Sequence, residues 1–163
     1  HDDIGLNYRM SEFQGAIGVV QTTKLKKFVN LRRAIASRFS EIIQDCKFLS
    51  PQFTSKEKVH SYWTFAVRNL SQDISWKNFR KKYMEFGGTG IYASWKLLYQ
   101  EDVFVNGNWK RHCPKLYKNY SFRACKNAEK IQKQLLQFPL NFKDMRSAQK
   151  SILALKKTIK YYE

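Results

Sequence analysis

The sequence lacks a long uninterrupted apolar run, and this absence excludes several classes of protein. No stretch approaches the roughly 18 apolar residues that a helix needs to cross a bilayer. The first residues have neither the basic head nor the apolar body of a secretory signal peptide. Together these absences predict a cytoplasmic protein with no membrane partner.

Cysteines are few, and their spacing indicates no paired motif. The chain has three cysteines, Cys46, Cys113 and Cys125, with no CxxC spacing, which disfavours a disulfide framework and a zinc ribbon. His112 stands beside Cys113, but the spacing to Cys125 fits no common zinc pattern and a fourth ligand is missing. The sequence therefore predicts no metal site.

Acidic residues are few, which leaves a large positive charge. Thirteen Asp and Glu stand against 30 Lys and Arg, for a net charge of +17. Such a charge favours an anionic partner, and nucleic acid is one candidate. A nucleic-acid footprint clusters on one face, whereas these basic residues are spread along the whole chain, as is typical of solvated helix faces. A non-enzymatic basic α+β module that binds nucleic acid remains a competing hypothesis.

Common catalytic motifs are also missing. The sequence has no nucleophile elbow, no HExxH and no paired carboxylate motif, and His60 is a lone histidine at the edge of a predicted strand. Residues 87–90 read GGTG but lack the lysine and the following helix of a phosphate-binding loop, so they are interpreted as a turn. The residues taken alone predict no catalytic group.

What the sequence does contain is the material of a helix-rich core. Its 163 residues are 43% hydrophobic, enough for one domain. Ser11 begins a capping box, and a long amphipathic helix follows to about Cys46. Further helices are predicted after Ser75, over about 124–136 and after Asp144. The last helix has an apolar seam that indicates core packing rather than a coiled coil, formed by Met145, Ala148, Ile152, Leu155, Ile159 and Tyr162.

Strand signals are fewer. Residues 61–70 alternate with a period of two, which predicts a half-buried strand, and 137–140 predict a second short one. The inward set of the first strand is Trp63, Phe65 and Val67. Residues 103–122 show no period and predict a long irregular loop. The sum is an α+β piece with a few-stranded sheet packed by helices.

Three segments then resemble one enzyme family. Residues 4–18 read IGLNYRMSEFQGAIG and resemble the GxNYRMxExQAAIG segment of the DegT/StrS-type sugar aminotransferases. Residues 60–67, HSYWTFAV, are similar to that family's central small-domain strand. Residues 87–97, GGTGIYASWKL, resemble a GGDGIYAAWKL variant, with Thr89 in place of the aspartate. Weaker likeness at 125–129, 136–138 and 155–159 extends the resemblance almost to the end of the chain.

The resemblance implies the C-terminal part of a fold-type I, pyridoxal-phosphate-dependent aminotransferase, α/β overall. Such an enzyme moves an amino group from glutamate or glutamine to a keto sugar, usually nucleotide-linked, for amino-sugar and surface polysaccharide biosynthesis. Residues 1–22 correspond to a dimer-interface and active-site segment that starts the linking helix, and 23–163 to the C-terminal small domain. The implied assembly is a homodimer with shared active sites.

The resemblance also assigns binding residues. The family's lysine that holds the cofactor precedes the NYRM segment, so no catalytic residue is expected in this chain, and the piece alone is expected to be inactive. Asn7 corresponds to an amide donor to the partner subunit's cofactor phosphate, and Arg9 to a phosphate or sugar contact. The substrate-binding set is Arg9, His60, Tyr92, Trp95 and Lys96.

Two alternatives apply to these assignments. Asn7 could shape a turn and Arg9 could pair structurally, while the aromatics near Tyr92 could belong to a core. At the level of the whole protein, a degenerate relative would keep the dimer scaffold without chemistry. A lysine in the family's position upstream would separate that relative from an active enzyme.

Overall fold

A four-stranded antiparallel sheet organises the part of the chain that the computed structural model describes, Gly5 and residues 8–93, 95–115 and 125–163. The strands are β1 (Leu49–Pro51), β2 (Thr64–Asn69), β3 (Tyr92–Ala93) and β4 (Leu135–Pro139), in the spatial order β1-β2-β4-β3. The α-helices are α1 (Glu12–Thr23), α2 (Leu25–Ile43), α3 (Trp76–Glu85), α4 (Asp102–Val105), α5 (Lys126–Gln132) and α6 (Met145–Tyr162). Short 3-10 turns occupy Leu98–Gln100 and Asn108–Arg111.

Local hydrogen bonds mark the start of α1 and the boundary between α1 and α2. The Ser11 hydroxyl accepts from the backbone N–H of Gln14, and the Gln14 side chain accepts from the backbone N–H of Ser11, which confirms the predicted capping box. At the other end of α1 the hydroxyls of Thr22 and Thr23 donate to carbonyls of their own helix. Lys24 then separates α1 from α2.

The core lies on one face of the sheet, under α2, α3 and α6. The ring of Phe39 on α2 lies 5.7 Å from that of Phe65 and 5.5 Å from that of Phe138, measured between centroids. These two partners face each other across the β2–β4 pair. Tyr83 on α3 meets Phe138 edge-on at 5.4 Å. Each such fully buried side chain stabilises the fold by about 1.5–3 kcal/mol relative to exposure.

The prediction that the last helix begins after Asp144 and packs in the core is confirmed. The Asp144 carboxylate accepts from the backbone N–H of Ser147 at 2.7 Å and caps α6. The inner part of the seam is buried and the two ends are partly buried, so the seam is core: Ala148, Ile152, Leu155 and Ile159, then Met145 and Tyr162. A few-stranded sheet packed by helices is therefore what the described residues form. None of the helices in these ranges is both long and apolar enough to span a membrane.

Trp63 differs from its prediction. Phe65 and Val67 are buried as expected, but Trp63 is 59% exposed and precedes β2. The cause is Tyr62, whose φ of 52° is left-handed and turns the chain before the ladder starts at Thr64. The alternating buried set therefore begins at Phe65 rather than at Trp63, two residues later than the sequence pattern indicated.

Two boundaries in the second half also differ. The loop predicted over 103–122 instead contains part of α4 and a 3-10 turn, since Val103 and Trp109 are buried and fold the segment onto itself. Residues 116–122 of that loop lie outside the described residues. The helix predicted to 136 ends at Gln132, because Leu135 and Leu136 pair with β2.

Candidate functional site

The residues assigned to cofactor and substrate fall in separate places. Asn7 lies outside the described residues. Arg9 lies in the N-terminal arm, the name used here for Tyr8–Met10, which has no regular secondary structure and precedes α1. His60 lies before β2, and the remaining three lie at or just after β3: Tyr92, Trp95 and Lys96.

The N-terminal arm projects from the described structure. Tyr8 is 91% exposed and Met10 is 70% exposed. The side chain of Arg9 is exposed and makes no hydrogen bond or ion pair to any residue within the described ranges. Its guanidinium is thus available to an anion that another part of the protein would hold.

Next to the arm, α1 carries an apolar stripe, formed by Phe13, Ile17 and Val20. Their spacing of four and three places them on one helix face, yet they are 76%, 48% and 52% exposed. The helix has no buried residue at all. A contiguous exposed apolar face of this kind marks a surface that contacts another domain or subunit.

His60 is held in one orientation. Its Nδ1 accepts the backbone N–H of Tyr62 at 2.8 Å, and the two rings lie 4.2 Å apart. Both residues line a polar groove of about 550 Å³ between α2 and the segment that leads into β2. We call this cavity the basic groove, since Arg33 and Lys58 also line it.

Tyr92, Trp95 and Lys96 lie around the end of β3. Tyr92 is paired with Gln137 of β4 and remains half exposed. Trp95 meets Trp63 edge-on with centroids 5.8 Å apart, and we call these two residues the tryptophan pair. The Trp95 carbonyl accepts from Gln132 Nε2 at 2.8 Å, which ties the segment to α5.

Lys96 is engaged by an acidic neighbour. Its Nζ lies 2.9 Å from Oδ1 of Asp102, and both side chains are about half exposed. The hydrogen bond and charge of Lys96 hold the pKa of the Asp102 carboxyl below its usual value. Lys96 and Trp95 line a second open cavity of about 560 Å³ together with Leu98 and Glu101. A phosphate bound there would share Lys96 with a carboxylate.

A tyrosine fastens this segment to the helix beyond it. The Tyr99 hydroxyl donates to Glu129 Oε1 at 2.8 Å and accepts from the backbone N–H of Cys125 at 3.2 Å. Desolvation, followed by the hydrogen bond to the Glu129 carboxylate, raises the pKa of Tyr99. The loop that carries Trp95 and Lys96 is therefore anchored to α5 rather than free.

The structure thus brings Trp95 and Lys96 together and adds Trp63, but Arg9 lines neither cavity. Sequence reasoning missed Trp63, which it placed inside the core, and Asp102. The HSYW segment contained the signal for Trp63, since the family likeness already pointed to that stretch. Arg33 belongs to the Leu31-Arg32-Arg33 stretch that resembles the family's helix, but no sequence pattern joined it to Lys58, because 25 residues separate the two along the chain.

Solved structures share this architecture. Helicobacter pylori PseC, an aminotransferase of pseudoaminic acid biosynthesis, matches with a TM-score of 0.67 and 20% identity over 98% of this chain and 40% of its own. DesV of S. venezuelae matches with a TM-score of 0.70 and 16% identity over 98% and 39%. An E. coli GDP-4-keto-6-deoxy-D-mannose-3-dehydratase with bound hydrated PLP matches with a TM-score of 0.66 and 21% identity over 95% and 36%. At these identities the likeness shows the fold.

Sequence comparison gives the family. GDP-perosamine synthase of Escherichia coli O157:H7 is 33% identical over 67 residues, which are 41% of this chain and 18% of that protein. The chain therefore spans less than half the length of the relatives it matches. The model of the DegT/DnrJ/EryC1/StrS aminotransferase family, whose members depend on pyridoxal phosphate, matches residues 1–154. The expected resemblance is confirmed, and the chain belongs to the DegT/DnrJ/EryC1/StrS aminotransferase family.

Proposed function

We propose that this chain is the C-terminal part of a pyridoxal-phosphate-dependent aminotransferase that acts on a nucleotide-linked keto sugar, with glutamate or glutamine as amino donor. The observation that carries the proposal is the family match over residues 1–154. The names of two relatives support a sugar substrate, since one is a GDP-perosamine synthase and another an aminotransferase of pseudoaminic acid biosynthesis. The product would be an amino sugar for surface polysaccharide, made in the cytoplasm.

The two parts of the chain would have different tasks. Residues 1–22 would form the dimer interface and reach the active site, and 23–163 would form the small domain. The absence of buried residues in α1 supports this division, because α2 buries Ile35, Phe39 and Ile43 in the core. The apolar stripe of α1 would pack against the rest of a homodimer, in which each active site uses residues of both subunits.

The described residues fit one end of the cofactor. The exposed guanidinium of Arg9 has the donor geometry that a phosphate requires, and Asn7 would add an amide donor. The cavities described above are open to solvent and do not include Arg9, so within the described residues Arg9 would supply a phosphate contact without an enclosing cradle for the ring. When bound, pyridoxal phosphate supplies the electron sink through which an amino group is transferred. This chain's residues would bind and orient the phosphate and the substrate.

The substrate would lie against the segment after β3. Trp95, half of the tryptophan pair, offers an exposed ring on which a base or sugar can stack. Tyr92 offers a second exposed ring close by in the chain. Lys96 would contact a phosphate oxygen while Asp102 holds its ammonium in place. His60 would contact the substrate from the basic groove.

A spectroscopic experiment tests this proposal. The protein is expressed from its complete reading frame, mixed with pyridoxal phosphate and examined for the visible absorption band of cofactor joined to a protein lysine. We expect the band to form and to disappear when glutamate or glutamine is added. A folded protein that gives no band would instead fit a degenerate scaffold. A protein with steeply salt-dependent binding to nucleic acid and no band would fit the basic-module alternative.

A further inference from the structure

The basic groove has the composition of an anion site. Its walls are the polar face of α2 and residues 54–62. Those walls hold several hydroxyl and amide groups as well as basic side chains and include no carboxylate: Asn30, Ser37, Ser40, Thr54, Ser55, Tyr62, Arg33, Lys58 and His60. A cavity lined by one sign of charge concentrates counter-ions of the other sign.

The two cations of the groove are not consumed by ion pairs. Neither Arg33 nor Lys58 forms a salt bridge with any residue in the described ranges, and both are exposed. Two carboxylates lie near the groove without lining it: Glu57, which is exposed and precedes Lys58 in the chain, and Glu41, which accepts from Ser37 at 3.4 Å and is ion-paired with Arg38 at 2.8 Å. Arg38 largely compensates the charge of Glu41, and the two basic side chains that line the groove outweigh the one charge of Glu57, so that the groove keeps a positive potential.

Two neutral groups in the groove also have donor capacity to spare. The Ser55 hydroxyl oxygen is buried and has no hydrogen-bond partner within the described residues. Buried polar groups are nearly always hydrogen-bonded, so an unsatisfied hydroxyl at a cavity wall points to a missing acceptor or donor. His60 accepts at Nδ1, so its neutral ring carries the proton on Nε2 and can donate from there.

The backbone beside His60 is held in an unusual conformation. Tyr62 has a φ of 52°, the one non-glycine residue with positive φ among the described residues. A bulky residue in this region costs about 1–3 kcal/mol, and such outliers cluster at ligand sites. The same turn directs the Tyr62 N–H to Nδ1 of His60 and thereby fixes the tautomer and the position of that ring.

We propose that the basic groove binds a phosphate group through Arg33, Lys58 and His60, with the Ser55 hydroxyl as a further partner. The positive charges of Arg33 and Lys58 match the two negative charges of a phosphate dianion, and His60 and Ser55 add neutral donors for its several acceptor oxygens. A single carboxylate has less charge and fewer acceptor oxygens, so it matches the groove less well. The phosphate can come from the diphosphate of a nucleotide-linked sugar, a source that rests on the proposed function. It can equally be free inorganic phosphate, a source that does not.

Calorimetric titration tests the site directly. The protein from its complete reading frame, saturated with pyridoxal phosphate so that the cofactor phosphate site is filled, is titrated with inorganic phosphate and with pyrophosphate. We expect Arg33→Gln and Lys58→Gln each to raise the Kd of the anion by about tenfold, as loss of one charged hydrogen bond implies. Lys157→Gln, at an exposed position of α6, removes the same charge away from the groove and should leave the Kd unchanged.

Two results overturn the proposal. One is an unchanged Kd in both groove variants, and the other is an equal rise in Lys157→Gln, which would reflect net charge alone. Both groove residues are exposed, so the folded state of each variant is expected to persist and is checked by its melting temperature.

Steady-state kinetics separate the two sources of phosphate. If Arg33→Gln and Lys58→Gln raise both the KM for the nucleotide-linked keto sugar and the Kd for pyrophosphate, the groove holds the substrate's diphosphate. If the KM is unchanged while the Kd for inorganic phosphate rises, it holds free phosphate. A protein that binds phosphate in the groove yet transfers no amino group supports the groove and contradicts the proposed function, so the two failures are distinguishable.

Discussion

Gly88 lies against the ring of Tyr83, so close that a Cβ at this glycine would clash with two of the ring carbons. Tyr83 is fully buried and packs on Phe138 in the core, so the ring has no room to retreat. The glycine turn after α3 is therefore determined by packing.

Gly88→Ala is expected to destabilise the protein by about 1–3 kcal/mol, because an added methyl overpacks the core. Urea denaturation measures the change. Gly90→Ala is the matched control, since its Cβ would meet only the Arg80 side chain at an ordinary 3.7 Å. Equal stability of the two variants would show that the Tyr83 contact does not restrict the turn.

Charges in the apolar stripe of α1 should disrupt association. We expect the double variant Phe13→Asp, Val20→Asp to raise the dimer dissociation constant at least about 30-fold, since central apolar interface residues often contribute 2 kcal/mol or more. Light scattering coupled to gel filtration measures it. Leu153→Asp changes an exposed leucine of α6 and should leave the oligomer intact. A stripe variant that associates as tightly as the parent would exclude this face as the interface.

The ion pair of Lys96 with Asp102 should make a small, pH-dependent contribution to stability. The pKa of Asp102 is lowered in the folded state, so the stabilisation is present at neutral pH and is lost as the pH falls through the folded pKa. Lys96→Gln should therefore lower the melting temperature slightly near pH 7, and the difference from the parent should vanish in acid. A difference that stays constant down to acid pH would contradict the pairing.

Trp95→Ala should impair substrate binding more than stability, since its ring is 62% exposed and its aromatic neighbour among the described residues is the equally exposed Trp63. Loss of a stacked base costs about 1–3 kcal/mol, so we expect the KM for a nucleotide-linked sugar to rise about tenfold or more. Tyr161→Ala removes an exposed aromatic ring of α6 and should leave that KM unchanged. An unaltered KM in Trp95→Ala would remove the tryptophan pair from the substrate site.

Much of the fold could be predicted because local chemistry decides it. The caps at Ser11 and Asp144 and the seam of α6 depend on spacings within one or two turns, and all are present. Features that depend on tertiary contacts were predicted wrongly from the sequence. The end of α5 depends on Leu136 pairing with Val67, and the exposure of Trp63 depends on the turn at Tyr62.

The residues of the candidate site also divide into those that the sequence indicated and those that only the structure brings together. His60, Trp95 and Lys96 are assigned to the candidate site through family likeness, because motifs preserve position in a chain. Lys96 pairs with Asp102 and Arg33 shares a groove with Lys58, and no short-range pattern contains either relationship. The spacing of Phe13, Ile17 and Val20 places them on one face of α1, but such a spacing shows only that a face is apolar and does not show what covers it.

Transfer of labelled nitrogen tests the central claim most directly. The protein from its complete reading frame, with pyridoxal phosphate, is incubated with a nucleotide-linked keto sugar and either amino-labelled ¹⁵N-glutamate or glutamine, and the sugar is analysed by mass spectrometry. We expect a new amine on the sugar, and we expect this amine to carry the label. A sugar that has lost a hydroxyl without gaining nitrogen would indicate a dehydratase, the activity named for one structural relative, and would contradict the aminotransferase proposal.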